Sequence, residues 1–262
     1  MLLALDAGNT NVTAGVFSGQ RLVHRFRLET AGASTAALSR VFRAETAGWA
    51  GGIDGAVFGS VVPRLDRALR RSLFETFGVH PFEVGPASRL GMRLRVKTPR
   101  EVGADRILNA LAAFERARGA AVVIDFGTAT TFDCVSRKGD YLGGAILPGP
   151  NLAAKALNEH TAKLPLVSVA RPRRVVGKDT VECIQAGLYF GYLGMIENVL
   201  GLTVAEMRRA GEGARIAVLA TGGLSALFRK ELPGGAVAAP DLTLEGLRIA
   251  FSRLQTRGGK RA

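Results

Sequence analysis

Two aspartates in this 262-residue sequence stand where an apolar run gives out and a glycine follows two positions later. Asp6 ends the run of residues 2–5 in LLALDAGNTN, and Asp125 ends residues 120–124 in AAVVIDFGTAT. A glycine at that spacing lets the chain turn tightly and bring backbone N–H groups up to a bound oxyanion. Asn9, Thr10, Asn11 and Thr13 in the first stretch, and Thr128 in the second, add side-chain donors that suit phosphate oxygens. Because a carboxylate repels phosphate, the aspartates belong at such a site only with a cation between, and Mg2+ is the usual choice. A lone Asp-x-Gly reads better as an Asx turn closing a hairpin; finding it twice weighs toward phosphate.

A third glycine element, IAVLATGGLSALF, reads as strand, Gly222-Gly223 turn, then helix start, a place for a nucleotide to dock. The sequence has neither G-x-x-x-x-G-K-[ST] nor a G-x-G-x-x-G opening its first helix, which argues against P-loop and Rossmann geometry.

The elements that must position these residues alternate strand and helix, the pattern of an α/β protein. MLLALD and NVTAGVF read as a hairpin, RLVHRFRLE as a third strand, residues 34–48 as a helix, GAVFGSVV as a buried strand and RLDRALRRSLFETF as a second helix. A further helix starts near GADR, with Ile107, Leu108, Leu111 and Phe114 on one face and Gly119 just past its end. AAVVIDFGTATTFDCVS then overlays LLALDAGNTNVTAGVF at a constant offset, so the chain reads as a duplication with halves 1–118 and 119–262. GPNLAAKALNEHTAKLPLV reads as a helix and exit loop, and LTLEGLRIAFSRLQ as a last helix docking through Leu244, Leu247, Phe251 and Leu254, with a frayed tail.

A hydrophobic content of 47% with 22% charged residues is that of a folded globular chain. The net charge of +13 favours anionic ligands, but it is scattered, without the interleaved aromatics of a single-strand platform, so a nucleic-acid partner is not expected. The apolar start stops at Asp6, too short for a signal peptide, and cytoplasmic location is the default. Residues 187–205 are long enough for a membrane span but carry Glu197 and the spaced glycines Gly187 and Gly191. They read instead as a helix buried on most sides or packed at a subunit interface. Cys134 and Cys183 read as reduced, buried thiols, and His24, His80 and His160 show no metal spacing.

DAGNTN at the start, GADR at 103–106, DFGTATTFD at 125–133, GGAILPG at 143–149, DTVECIQAGLYFGYLGMIE at 179–197 and ATGGL at 220–224 occur in this order over nearly the whole chain. In that series the sequence resembles the type III pantothenate kinases, some of which carry the label Bvg accessory factor, a name that implies transcription. The resemblance implies the acetate and sugar kinase, Hsc70 and actin superfold: duplicated ribonuclease H-like domains, mixed sheets flanked by helices, clasping a nucleotide between two phosphate loops. It implies ATP-dependent phosphorylation of pantothenate in coenzyme A biosynthesis by a homodimer.

The same resemblance assigns roles. Asp105 becomes the general base; by residue type alone it reads better as the N-cap of the helix that follows. Gly103, Ala104, Arg106, Thr180 and Val96 fall on the pantothenate site, where a guanidinium suits a carboxylate; Thr180 by type alone is a cap for a helix beginning near Val181. Some members place a tyrosine where Val96 stands, which puts the substrate affinity in question. Asp6, Ala7, Gly8, Asn9, Thr10, Asn11, Val12 and Thr13, with Gly127, Thr128, Gly222 and Gly223, fall on ATP and its magnesium. Asp125 falls on a monovalent cation, potassium or ammonium. An accessory nucleic-acid binder on the same fold, or a kinase of another small alcohol, are the alternative readings.

Overall fold

Residues 2–5 are apolar on both faces, which is what a strand covered on both sides requires. In the computed structural model, which describes residues 1–232 and 235–258, they form β1 (Leu2–Ala7), followed by β2 (Asn11–Ser18) and β3 (Arg21–Glu29) as an antiparallel meander. Ser34 caps α1 (Thr35–Glu45), its side chain accepting from the Ala37 N–H at 3.2 Å. The chain then returns through β4 (Gly55–Ser60), which runs parallel to β1. α2 (Pro63–Phe77) has proline in its first turn and ends on Gly78 at φ 70°. It leads to the short β5 (Phe82–Val84) and, after an irregular stretch, to α3 (Ala104–Ala117).

The plan then repeats: β6 (Ala121–Phe126), β7 (Ala129–Val135) and β8 (Tyr141–Pro148) form a second meander. α4 (Pro150–Glu159) follows, then an irregular stretch and α5 (Thr180–Ala186), which runs through a π-helical turn at Gly187–Gly191 into α6 (Tyr192–Arg209). β9 (Ala217–Thr221) pairs parallel to β6; α7 (Ser225–Phe228), β10 (Val237–Ala238) and α8 (Leu242–Gly258) close the chain. The sheets have orders β3-β2-β1-β4-β5 and β8-β7-β6-β9-β10, one order used twice.

Chain contacts divide the molecule into Met1–Glu115 together with the segment that starts at Asp241, and Arg116–Pro240. The C-terminal helix, counted by the repeat with the second half, therefore lies in the first unit. The reason is on the sheet: Gly15, Gly55 and Gly59 leave room on one face, and Leu244, Phe251 and Leu247 of α8 fill it. The other face carries the core of α1 and α2, with Leu3, Leu5, Val12, Leu38, Phe42 and Leu69 sealed from solvent. In the second unit Ile124, Phe126 and Phe132 pack with Tyr189, Ile196 and Phe228.

Four expectations are corrected. The constant offset between the repeats slips by one residue past the glycine: Asp6 faces Thr13, seven residues on, whereas Asp125 faces Thr131, six residues on. An ungapped overlay would have put Phe132 beside Asp125 and turned its ring out of the core. The left-handed residue after α3 is Arg118, at φ 50°, and not Gly119. Cys134 is buried but Cys183 is exposed. Of the two readings of the helix through 187–205, burial on most sides does not hold: Tyr189, Tyr192, Leu193, Ile196 and Leu200 enter the core, while Gly187, Gly191, Gly194, Met195, Gly201 and Leu202 line an exposed face. Thr180–Arg209 contains an 18-residue window of mean hydropathy 1.3, long and apolar enough to cross a membrane, and a third of that window is buried in this unit. Of the tail expected to fray, residues 259–262 lie outside those described.

Candidate active site

Asp6 sits at the carboxyl end of β1, where β1 and the parallel β4 finish side by side with Gly59 opposite it. Ligands of open α/β sheets gather at such ends. The turn after it, Gly8 to Thr10, is closed by a 2.9 Å bond from the Gly8 N–H to Asn11 O. Thr30, buried at the end of β3, holds it from the side: its hydroxyl donates to Gly8 O at 2.6 Å and its N–H to Thr10 O at 2.9 Å. Asn9 and Thr10 are exposed, Asn11 and Thr13 half-buried, while the side chains of Ala7 and Val12 lie in the core and leave only their backbone to a ligand.

The GADR segment meets the same end of this sheet. A Cβ on Gly59 would stand 3.3 Å from Ala104 Cβ, and one on Gly103 would stand 3.4 Å from Val61, so the start of α3 abuts the end of β4. Asp105 is the second residue of α3 and not its cap; its Oδ1 accepts the Arg106 N–H at 2.8 Å. A side chain on Gly103 would strike that oxygen, 2.4 Å away. Burial pushes the Asp105 carboxyl above the usual aspartate value, against the opposing pull of the Arg106 N–H and guanidinium. Val96 is half-buried in the irregular stretch before α3.

In the second unit Asp125 ends β6 opposite Thr131 on β7 and the buried Thr221 on β9. The turn here has two residues, Gly127 and Thr128, and it is hemmed in. Gly222, at φ 87°, would place a Cβ 2.4 Å from Asp125 Oδ1 and 2.6 Å from the Phe126 backbone. Gly149 would place one 2.3 Å from Thr128 O and 2.6 Å from Gly127 O, and its own N–H donates to Thr128 O at 3.1 Å. Gly223, by contrast, has open space beside it. Thr180 opens α5 with an exposed side chain, and the cap there is Asp179, which accepts the Glu182 N–H at 2.8 Å.

The structure thus brings residues 6–13 together with Gly103 to Arg106 in one unit, and Asp125, Gly127 and Thr128 together with Gly222 in the other. Sequence reasoning missed Thr30 and Gly149. Gly149 had a signal, standing before Pro150 at a helix start; Thr30 had none, because its partner is 22 residues away.

Oxygen-rich side chains beside Asp6, and the carboxylate and two carbonyls crowded at Asp125 and Gly149, are hard donors that fit magnesium and an alkali-type cation.

A single five-stranded order used twice, each copy with an acid-glycine turn at the carboxyl end of its central strand, defines the actin-like ATPase and sugar kinase fold. Solved structures share it: the Acidaminococcus fermentans (R)-2-hydroxyglutaryl-CoA dehydratase component A is 13% identical over 98% of each chain, with a TM-score of 0.56. A conserved Baf family protein from Campylobacter jejuni is 16% identical over 98% of this chain and 99% of that one, with a TM-score of 0.59.

Residues 2–201 match the family model described as type III pantothenate kinase. The type III pantothenate kinase of Moorella thermoacetica is 44% identical over 97% of this chain and 99% of its own, and that of Geobacter sulfurreducens 42% over the same shares. The chain belongs to the type III pantothenate kinase family.

Proposed function

We propose that this protein transfers the γ-phosphoryl group of ATP to the primary hydroxyl of pantothenate, the first step of coenzyme A biosynthesis, as a cytoplasmic enzyme. The observation that carries this is identity above 40% to pantothenate kinases along nearly the full length of both chains.

In this reading Asp105 orients the acceptor hydroxyl. The hydroxyl oxygen forms its bond to the γ-phosphorus as the bond from that phosphorus to the ADP oxygen breaks, and the proton passes to Asp105 late in the transfer. Its Oδ1 is engaged by the Arg106 N–H, and in this reading the other oxygen accepts from the substrate hydroxyl. A pKa raised by burial makes the carboxylate a stronger base than an aspartate in water.

Gly103, Ala104, Arg106, Val96 and Thr180 hold pantothenate, the Arg106 guanidinium meeting its carboxylate or carbonyls. Asp6 and the turn through Thr13 hold ATP with magnesium, together with Gly127, Thr128, Gly222 and Gly223. Magnesium supplies charge neutralisation at the phosphates when bound, and Asp125 holds potassium or ammonium. The exposed glycine face of the π-helical turn and α6 serves a homodimer, supported by its Gly187, Gly191, Gly194 and Met195 surface; light scattering reads the mass.

The test is an acceptor screen with ATP in potassium, ammonium or sodium salts. Pantothenate should be phosphorylated, and Asp105→Asn should lower kcat by roughly a hundredfold to ten-thousandfold. Turnover of a sugar or other alcohol with pantothenate inert would move the assignment to another kinase.

A further inference from the structure

The C-terminal helix lies beyond the matched residues 2–201, yet it touches the helix that bears Asp105 at three successive points. Asn109 stands one turn after Asp105 on the same face of α3 and is sealed from solvent; its Oδ1 accepts the Thr243 hydroxyl, from the first turn of α8, at 2.8 Å. Beside it the two backbones meet without side chains between them: a Cβ on Gly246 would lie 2.2 Å from the Leu108 carbonyl oxygen and 2.7 Å from its carbon. Two turns further along both helices the Arg253 guanidinium pairs with Glu115, and its other arm donates to Leu90 O at 2.6 Å. Leu108 is also fixed against β4: a Cβ on Gly59 would stand 2.7 Å from Leu108 Cδ1 and 3.8 Å from Leu247 Cδ2 of α8. The helix is therefore gripped at Leu108 by β4 and α8 together, one turn after Asp105.

We propose that α8 sets the position of Asp105, with Thr243, Asn109 and Gly246 as positioning residues that act through α3 and touch no substrate. This rests on the reading of Asp105 as general base, and the geometry gives it a mechanism. A base must sit within hydrogen-bond reach of the proton it accepts, so a displacement of a fraction of an ångström lowers kcat while leaving binding of the rest of the substrate intact.

The experiment compares Thr243→Val, Thr243→Ser and Gly246→Ala in the full chain by hydrogen exchange of the 103–110 segment and by steady-state kinetics. A core variant distant from α3, Leu38→Ala, serves as a control for lost stability. Thr243→Val should speed exchange in 103–110 and cut kcat several-fold with the KM for pantothenate little changed. Thr243→Ser should restore both, Gly246→Ala should cut kcat roughly tenfold or more, and the control should change neither. If Gly246→Ala does not fold, the threonine pair decides. Unchanged exchange in folded Thr243→Val, or faster exchange without a fall in kcat, overturns the proposal. If the wild-type protein does not phosphorylate pantothenate, the assigned function fails, and the exchange data still decide whether α8 holds α3.

Discussion

The two acid-glycine turns occupy the same point of the same sheet plan and yet are built in opposite ways. The first, three residues long, is held from the side by the Thr30 hydroxyl and N–H and presents Asn9 and Thr10 to solvent. The second, two residues long, is enclosed by Gly149 and Gly222, which press backbone and carboxylate together. The first turn offers two exposed side chains, and the second offers Thr128 beside crowded oxygens. A duplicated scaffold thus fixes where an acid stands, while the neighbouring strand ends and turns decide what the acid can hold. On the function proposed above, the open turn suits a bulky hydrated triphosphate, while the second sets Asp125 against a small bare cation and turns the exposed Thr128 to a phosphate.

The sharpest way to break this contrast is at Gly222. Alanine there meets a left-handed backbone and atoms as close as 2.4 Å, so Gly222→Ala should cost about 2 kcal/mol or more and abolish the response of activity to potassium over sodium. Gly223→Ala, with open space at the next position, should stay within about 0.5 kcal/mol of wild type. Thermal unfolding and activity in the two salts decide it. Equal behaviour of the two variants would mean that the second turn is not enclosed.

The next effect concerns the open turn. Thr30→Val keeps the shape but removes the hydroxyl that donates to Gly8 O, leaving a half-buried carbonyl short of one partner. The expected loss is about 1–2 kcal/mol, with a higher KM for ATP and an unchanged KM for pantothenate. Gly8→Ala should be milder than Gly222→Ala, since its nearest contact is Asn11 O at 3.2 Å in an ordinary backbone conformation. A larger loss in Gly8→Ala than in Gly222→Ala would invert the comparison.

Much of this arrangement was legible in the residues because its signals are local. Asp6 and Asp125 close apolar runs, glycine follows each at the same distance, and α2 and α3 carry their apolar stripes in sequence. What was hidden depends on register and on distant partners. The slip between repeats follows from a turn shorter by one residue, visible only once Asp125 is paired with Thr131. The return of α8 to the first sheet depends on three glycines on three different stretches of chain, each uninformative alone. Cys183 sits in an apolar sequence but on the exposed side of its helix, a matter of which face the core takes.

The smallest effect separates Asp105 from the turn-borne acids, because it sits on a helix and is held by burial rather than by a loop. Burial lifts its pKa above the 3.8 of an ordinary aspartate, so the ionised form is less favourable in the folded chain than in the unfolded one. That penalty is complete above the raised value, declines as pH falls through it, and is gone below 3.8, where both states are protonated. Asparagine carries no such penalty and retains an oxygen to accept the Arg106 N–H. Asp105→Asn should therefore lose activity and yet be slightly more stable than wild type at neutral pH, with the advantage shrinking as the solution is acidified through the raised pKa. Urea unfolding of both proteins across that range reads the difference directly. A variant less stable than wild type at neutral pH would mean that the helix N-terminus and Arg106 outweigh burial, and that Asp105 is held as a stabilising acid of the helix start.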